Sequence, residues 1–305
     1  MVHMLFRSVV LFGLVTLLGG LSGVAQATVQ VFACEPEWAA LAKELGGDRL
    51  EVYSATTSSQ DPHRIQARPS LIAKVRKADL LICTGAELEI GWLPLLLRRS
   101  GNAQIQPGQP GHFLAADHVR MLEVPEKLDR GLGDLHASGN PHIHTDPRNI
   151  LLVAGHLSQR LQQLDPDNSE SYQQRYREFE TRWQDALRDW NARAAPVKGA
   201  KVVVHHDFWS YLLDWLGLHK LATLEPLAGV SPSTSHLAAV RQLLNSERGV
   251  MIINTGYMSD RPVHWLAEQT GLPVVTLPAS VDYHGGETLY QWFDRLVDML
   301  TGPVK

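Results

Sequence analysis

The sequence predicts an α/β protein of two lobes, each a parallel-type sheet flanked by helices, joined by one long rigid helix with a binding cleft between the lobes. Three observations predict it. Short apolar runs alternate with amphipathic stretches through residues 29–99, and the alternation restarts at Lys201. Between these halves lies residues 169–193, polar overall but carrying Tyr172, Tyr176, Phe179, Trp183 and Leu187 at spacings of three and four, which marks one face of a helix. Alternating strand and helix patterns are the sequence form of a parallel sheet covered by helices.

Taken in order, residues 29–33 read as a strand. Pro36 opens a helix over 36–45 that Gly46-Gly47 closes. A second strand follows over 50–54, a helix over 69–77 that starts at Pro69, and a third strand over 80–83. Residues 88–99 read as a helix bearing Trp92. Residues 101–139 lack periodicity and are rich in Gly and Pro, so loops with short strands are expected. Pro147 starts a helix that Asp165-Pro166 ends. In the second half the expected elements are a strand over 201–204, helices over 209–216 and 237–246, and a strand over 250–254. A helix over 263–270, a strand over 273–277 and a closing helix over 289–300 complete it. The division expected is a first lobe over 28–165, a linking helix over 166–196 and a second lobe over 197–305. The halves are similar in pattern, with no repeat at the residue level.

Residues 1–27 have the layout of a secretory signal peptide. Arg7 gives a basic start, an apolar run follows from Val9, and Ala25-Gln26-Ala27 ends it with small residues. Cleavage is expected after Ala27, and without a lipobox cysteine the product is expected free in the periplasm. The chain has 28 basic and 32 acidic side chains, a net charge of −4. No long basic run or stacking-aromatic pattern of a nucleic-acid binder is present, and a monomer is expected. The only two cysteines, Cys34 and Cys83, each follow a strand-like run. If those strands are parallel neighbours the pair can form a disulfide; the alternatives are two buried thiols or thiolate ligands.

Among 14 histidines, three stand at the end of a strand or the start of a helix: in Asp61-Pro62-His63, in Asn140-Pro141-His142 and in His205-His206-Asp207. Ligands of open parallel sheets bind beyond the carboxyl ends of the strands. Neutral imidazole is a favoured zinc ligand, and zinc sites are mostly four-coordinate.

Asp61-Pro62-His63, with Arg68-Pro69-Ser70 behind it, resembles the DPH…PS signature of the zinc/manganese ABC-transporter solute-binding proteins, the cluster A-I metal receptors. Asn140-Pro141-His142-Ile143-His144-Thr145-Asp146-Pro147 resembles that family's DPHxWLDP motif, and His206-Asp207-Phe208-Trp209-Ser210-Tyr211 its HDAFxY motif. Gly229-Val230-Ser231-Pro232-Ser233 is similar to the segment that opens its next helix. The resemblance implies metal in the inter-lobe cleft, held by His63, His142 and His206. It also implies delivery to a membrane permease powered by a cytoplasmic ATPase, with a periplasmic metallochaperone as a candidate donor.

The chain departs from the pattern in three places. Asp282 stands where the family's fourth, carboxylate ligand is expected, and Glu287, His284 or water compete with it. His144 replaces the usual tryptophan, as an alternate ligand, a support behind the ligands or part of the cleft wall. The His-rich insertion of many zinc members is reduced to His112, His118 and His136 among Asp117, Glu123, Glu126, Asp129 and Asp134, and His136 is expected near the cleft mouth. His205 is expected to face away from the site that His206 enters.

Three imidazoles and one carboxylate favour zinc. More carboxylates would favour manganese, and copper and nickel also accept imidazole. A zinc hydrolase would need an exchangeable position and a general base, and no HExxH pattern is present. A metal-dependent surface adhesin is the remaining alternative. Because bound imidazoles must be neutral, affinity is expected to fall with pH. Release is expected through movement of the loop after Leu277.

Overall fold

The computed structural model describes residues 28–126 and 136–304. The signal-peptide reading, and the reading of Asp129 and Asp134, fall outside these residues.

Each half is built on a four-stranded, all-parallel sheet. The first joins β1 (Val29–Ala33), β2 (Leu50–Ser54), β3 (Leu80–Cys83) and β4 (His112–Leu114) in the order β2-β1-β3-β4. The second joins β5 (Lys201–Val204), β6 (His219–Thr223), β7 (Met251–Thr255) and β8 (Val274–Leu277) in the order β6-β5-β7-β8. The two sheets therefore share one topology. Along β1 the side chains alternate: Val31 and Ala33 enter the central core while Phe32 enters an outer cluster. In β5, Val202 and Val204 point inward and Val203 outward.

Helices α1 (Pro36–Gly46), α2 (Pro69–Arg76) and α3 (Leu93–Ser100) belong to the first half. Helix α4 (Pro147–Leu164) begins at Asp146, whose side chain caps the Arg148 N–H, and leads into α5 (Ser169–Ala194). At 26 residues, α5 is about 39 Å long. It buries Tyr172, Phe179, Trp183 and Trp190. Its indoles are tied to both sides: Trp183 Nε1 donates to the Pro147 carbonyl at 2.8 Å and Trp190 Nε1 to Asp294 at 2.8 Å. The second half adds α6 (Ser210–Leu216), α7 (Thr234–Ser246), α8 (Arg261–Thr270) and α9 (Leu289–Thr301). One continuous apolar core contains Trp38, Trp183, Trp190, Val204, Ile253 and Trp292, so it runs through both sheets and the helices between them.

Two elements differ from the sequence reading. Helix α3 starts at Leu93 because Ala86 (φ 48°) and Glu87 (φ 67°) are left-handed, which breaks any helix through them. Trp92 precedes it, buried, and its Nε1 donates to the Pro62 carbonyl at 2.9 Å. Strand β6 had no sequence signal: it is a half-exposed edge with a register shift opposite Val202 and Val203.

Strands β1 and β3 pair in parallel, so their ends coincide, and Cys34 and Cys83 are joined in a disulfide with Cα atoms 4.8 Å apart. Glu89 lies against the two sulfurs. Sulfurs bonded to each other offer no thiolate, so this group is not a metal site. Glu89 and Glu35 are both buried and both accept from the Thr84 N–H. Burial pushes the Glu89 carboxyl up to about 7; burial, then the Glu89 and Glu37 charges, push Glu35 up as well. The folded-state value of Glu89 lies above the unfolded value, so the stability it contributes is full below about pH 4.5 and is lost as pH rises through about 7; Glu35 is shifted in the same direction. The E89Q variant should therefore lose less melting temperature between pH 5 and pH 8 than the wild type. An unchanged pH slope in calorimetric melts would refute this.

Candidate metal centre

A cavity of about 1010 Å³ opens between the two sheets, and His63, His136, His142 and His206 share its wall. His63 sits in a one-turn helix after β2. The Asp61 carboxylate caps this turn by accepting the His63 N–H at 3.0 Å and also faces the ring Nδ1 at 2.8 Å. That contact places the His63 proton on Nδ1 and leaves Nε2 as the lone-pair atom. Burial raises the Asp61 carboxyl, but its bonds to His63 and the Arg64 charge outweigh this and hold it low.

His206 follows β5 and has the same support, with Glu225 Oε2 2.7 Å from its Nδ1. Glu225 is held in turn by the Gly229 N–H at 2.9 Å. The neighbouring His205 is buried, and its Nδ1 bonds the Asn254 Oδ1 at 2.8 Å.

His142 stands between the other two, with ring centroids 5.6 Å from His63 and 5.7 Å from His206. Asn140 accepts the His142 N–H at 2.9 Å, and Tyr211 donates to the Asn140 carbonyl at 2.8 Å. His142 is only 1 % exposed, yet neither ring nitrogen has a hydrogen-bond partner. Burial, then the neighbouring imidazoles of His63, His206, His144 and His136, hold it well below the ordinary histidine range, so it is neutral at pH 7. A buried polar atom without a partner costs roughly 1–3 kcal/mol. Two such atoms facing three further imidazoles fit a soft or borderline cation. Among the described residues these imidazoles do not form a ready-made group of three ligand atoms.

Asp282, expected as the fourth ligand, is not in this wall. It is exposed, and its carboxylate accepts the Gly285 N–H at 3.1 Å. Glu287 accepts the Asp282 N–H at 2.7 Å and pairs with Arg295 at 2.8 Å. His284 is exposed beside Tyr283. The reason is the loop before them. Glu37 accepts the Ser280 hydroxyl at 2.5 Å, His144 Nε2 meets the Ala279 carbonyl at 3.0 Å, and Tyr283 reaches the Val52 carbonyl. These contacts lay residues 279–283 along α1. His144 is thereby used behind the site: its ring stacks on Trp292 and its Nδ1 lies 3.3 Å from Glu37.

Glu123 was not singled out as a functional residue. It takes a left-handed backbone (φ 54°), unfavourable for a residue with a side chain. Its carboxylate accepts from Asn140 at 2.8 Å, from Ser210 at 2.9 Å and from Lys220 at 3.1 Å, and Lys220 also pairs with Asp207. It thus links the loops carrying His142 and His206. No short sequence pattern signals such a contact.

Fold and cavity together define a two-lobed receptor with an imidazole-lined cleft. The chain belongs to the family described as zinc-uptake complex component A, periplasmic, whose model matches residues 31–302. This is a family of substrate-binding receptors of transport systems and not of enzymes. The chain is 20 % identical over 251 residues to the manganese ABC transporter substrate-binding lipoprotein PsaA of Streptococcus pneumoniae, covering 81 % of this chain and 78 % of that protein. It is 21 % identical to the metal ABC transporter substrate-binding lipoprotein SloC of Streptococcus mutans, covering 77 % and 75 %. Its fold is similar to a crystal structure of ZnuA (TM-score 0.76, 20 % identity, 91 % of this chain and all of that one). It is also similar to FpvC of Pseudomonas aeruginosa in complex with Mn2+ (TM-score 0.73, 22 % identity, 90 % and 98 %). Among the described residues no helix is long and apolar enough to cross a membrane.

The carboxylates behind the histidines supply a testable effect. D61N and E225Q are each expected to weaken metal binding about 10-fold, because orienting partners of metal-bound histidines typically contribute that much. Competition calorimetry that finds wild-type affinity in both variants would remove this role.

Proposed function

We propose that this protein is the zinc receptor of an ABC importer. It captures the ion outside the cytoplasmic membrane through His63, His142 and His206 and delivers it to a membrane permease. The observation that carries the reading is His142, buried and neutral with both ring nitrogens unpartnered, between two histidines that each lean on a carboxylate. Neutral imidazole suits zinc better than manganese, which prefers oxygen. The manganese alternative is supported by the name of the relative PsaA and by the Mn2+-bound FpvC fold. Against it, the carboxylates of the cavity wall are already engaged, Asp61 and Glu225 by imidazole nitrogens and Glu123 and Asp207 by Lys220.

The metal is cargo. This chain's residues hold lone pairs toward it, keep protons on the far ring nitrogens and join the two lobes around it. The test is calorimetry of the mature protein with a competing chelator. One zinc bound tightly, with loss of affinity in H63A, is expected. No binding, or unchanged affinity in H63A, refutes the proposal. Saturating zinc at 100 times the Kd should also add about 2.7 kcal/mol to the unfolding free energy.

A further inference from the structure

We infer that His136 is a metal ligand of this chain and completes an all-imidazole set that selects zinc-like cations over manganese. The inference rests on the histidine cavity being the metal site, as proposed above. His136 Nε2 lies 3.2 Å from His63 Nε2, and the two rings are in contact at 5.2 Å between centroids. Two nitrogens on one tetrahedral zinc, each about 2.0–2.1 Å from the ion, stand about 3.3 Å apart. The pair is thus already at the spacing of two ligands of one ion. Asp61 sits on the other face of His63, so the His63 Nε2 presents its lone pair toward His136.

The position that a carboxylate was expected to take is open to His136. Asp282 and Glu287 are bonded elsewhere, and Asp61 and Glu225 act on the far nitrogens of His63 and His206. His136 reaches the cavity from the segment just before Asn140, and the next residue is anchored: the Ala137 N–H donates to Glu87 at 2.5 Å. The His63–His136 pair therefore forms one edge of the site, with the His142 ring 5.6 Å from that of His63. Four neutral nitrogen donors satisfy a tetrahedral zinc ion. Manganese, which favours oxygen donors, gains no carboxylate there.

The test uses zinc alone and manganese alone as probes on the full mature protein and on H136A, H136D and H63A. H136A is expected to lose about 10- to 100-fold in zinc affinity. X-ray absorption of bound zinc should count four imidazoles in the wild type and three in H136A. H136D should narrow the zinc-to-manganese affinity ratio. Wild-type zinc affinity in H136A, or a carboxylate oxygen in the zinc shell of the wild type, overturns the inference. If H63A loses zinc and H136A does not, only the role of His136 falls. If neither the wild type nor any variant binds zinc, the metal-site reading falls with it.

Discussion

Replacing His142 by alanine is expected to lower zinc affinity by more than about 100-fold, beyond the loss assigned to an orienting partner, while the metal-free protein stays folded. The two effects separate because His142 makes no side-chain hydrogen bond within the protein. Removing its ring removes two unpartnered buried nitrogens, each a burden of roughly 1–3 kcal/mol, and forfeits packing against Phe208, whose ring centroid is 4.2 Å away. These terms oppose each other, so the metal-free melting temperature should move little. Calorimetry and melting on one preparation check both. Affinity within threefold of wild type would remove His142 from the site; a collapse of metal-free stability would make it a structural residue.

The second large effect concerns the Cys34–Cys83 disulfide. Its partners are 49 residues apart in the chain, and closing a loop of that length stabilises the fold by about 4 kcal/mol in the chain-entropy model. The double variant C34A/C83A should melt about 10 °C lower than the oxidised wild type, a shift in keeping with a chain of this size. Zinc affinity should be preserved, because neither cysteine lines the histidine cavity. Equal melting temperatures for the two proteins would show that the bridge adds nothing to stability.

The α/β alternation, the linking helix and the three motif-borne histidines were legible in the sequence because each leaves a local mark. These marks are the short apolar run Val29–Ala33, spacings of three and four in α5, and a motif around each histidine. What escaped depends on distant partners. Asp282 occupies the expected place in the chain, but Ser280 and Ala279 are held by Glu37 and His144, and no pattern within the loop reveals that. Glu225 follows β6, an edge strand too exposed to read as apolar, so its position behind His206 was hidden with the strand itself. Glu123 joins the site through Asn140, Ser210 and Lys220, two of them nearly 90 residues or more away.

The core that runs unbroken through both sheets has a mechanical consequence. Receptors whose lobes meet only through flexible strands can release cargo by swinging apart. Here a swing that bared even 300 Å² of that core would cost roughly 7 kcal/mol. The rim is freer at His136, which lies in the cavity wall outside the apolar cluster, than at His206, whose neighbours Val204 and Phe208 belong to that cluster. A transporter that docks on this protein would therefore unload it at the rim, by displacing one or two imidazoles, with the lobes kept together throughout.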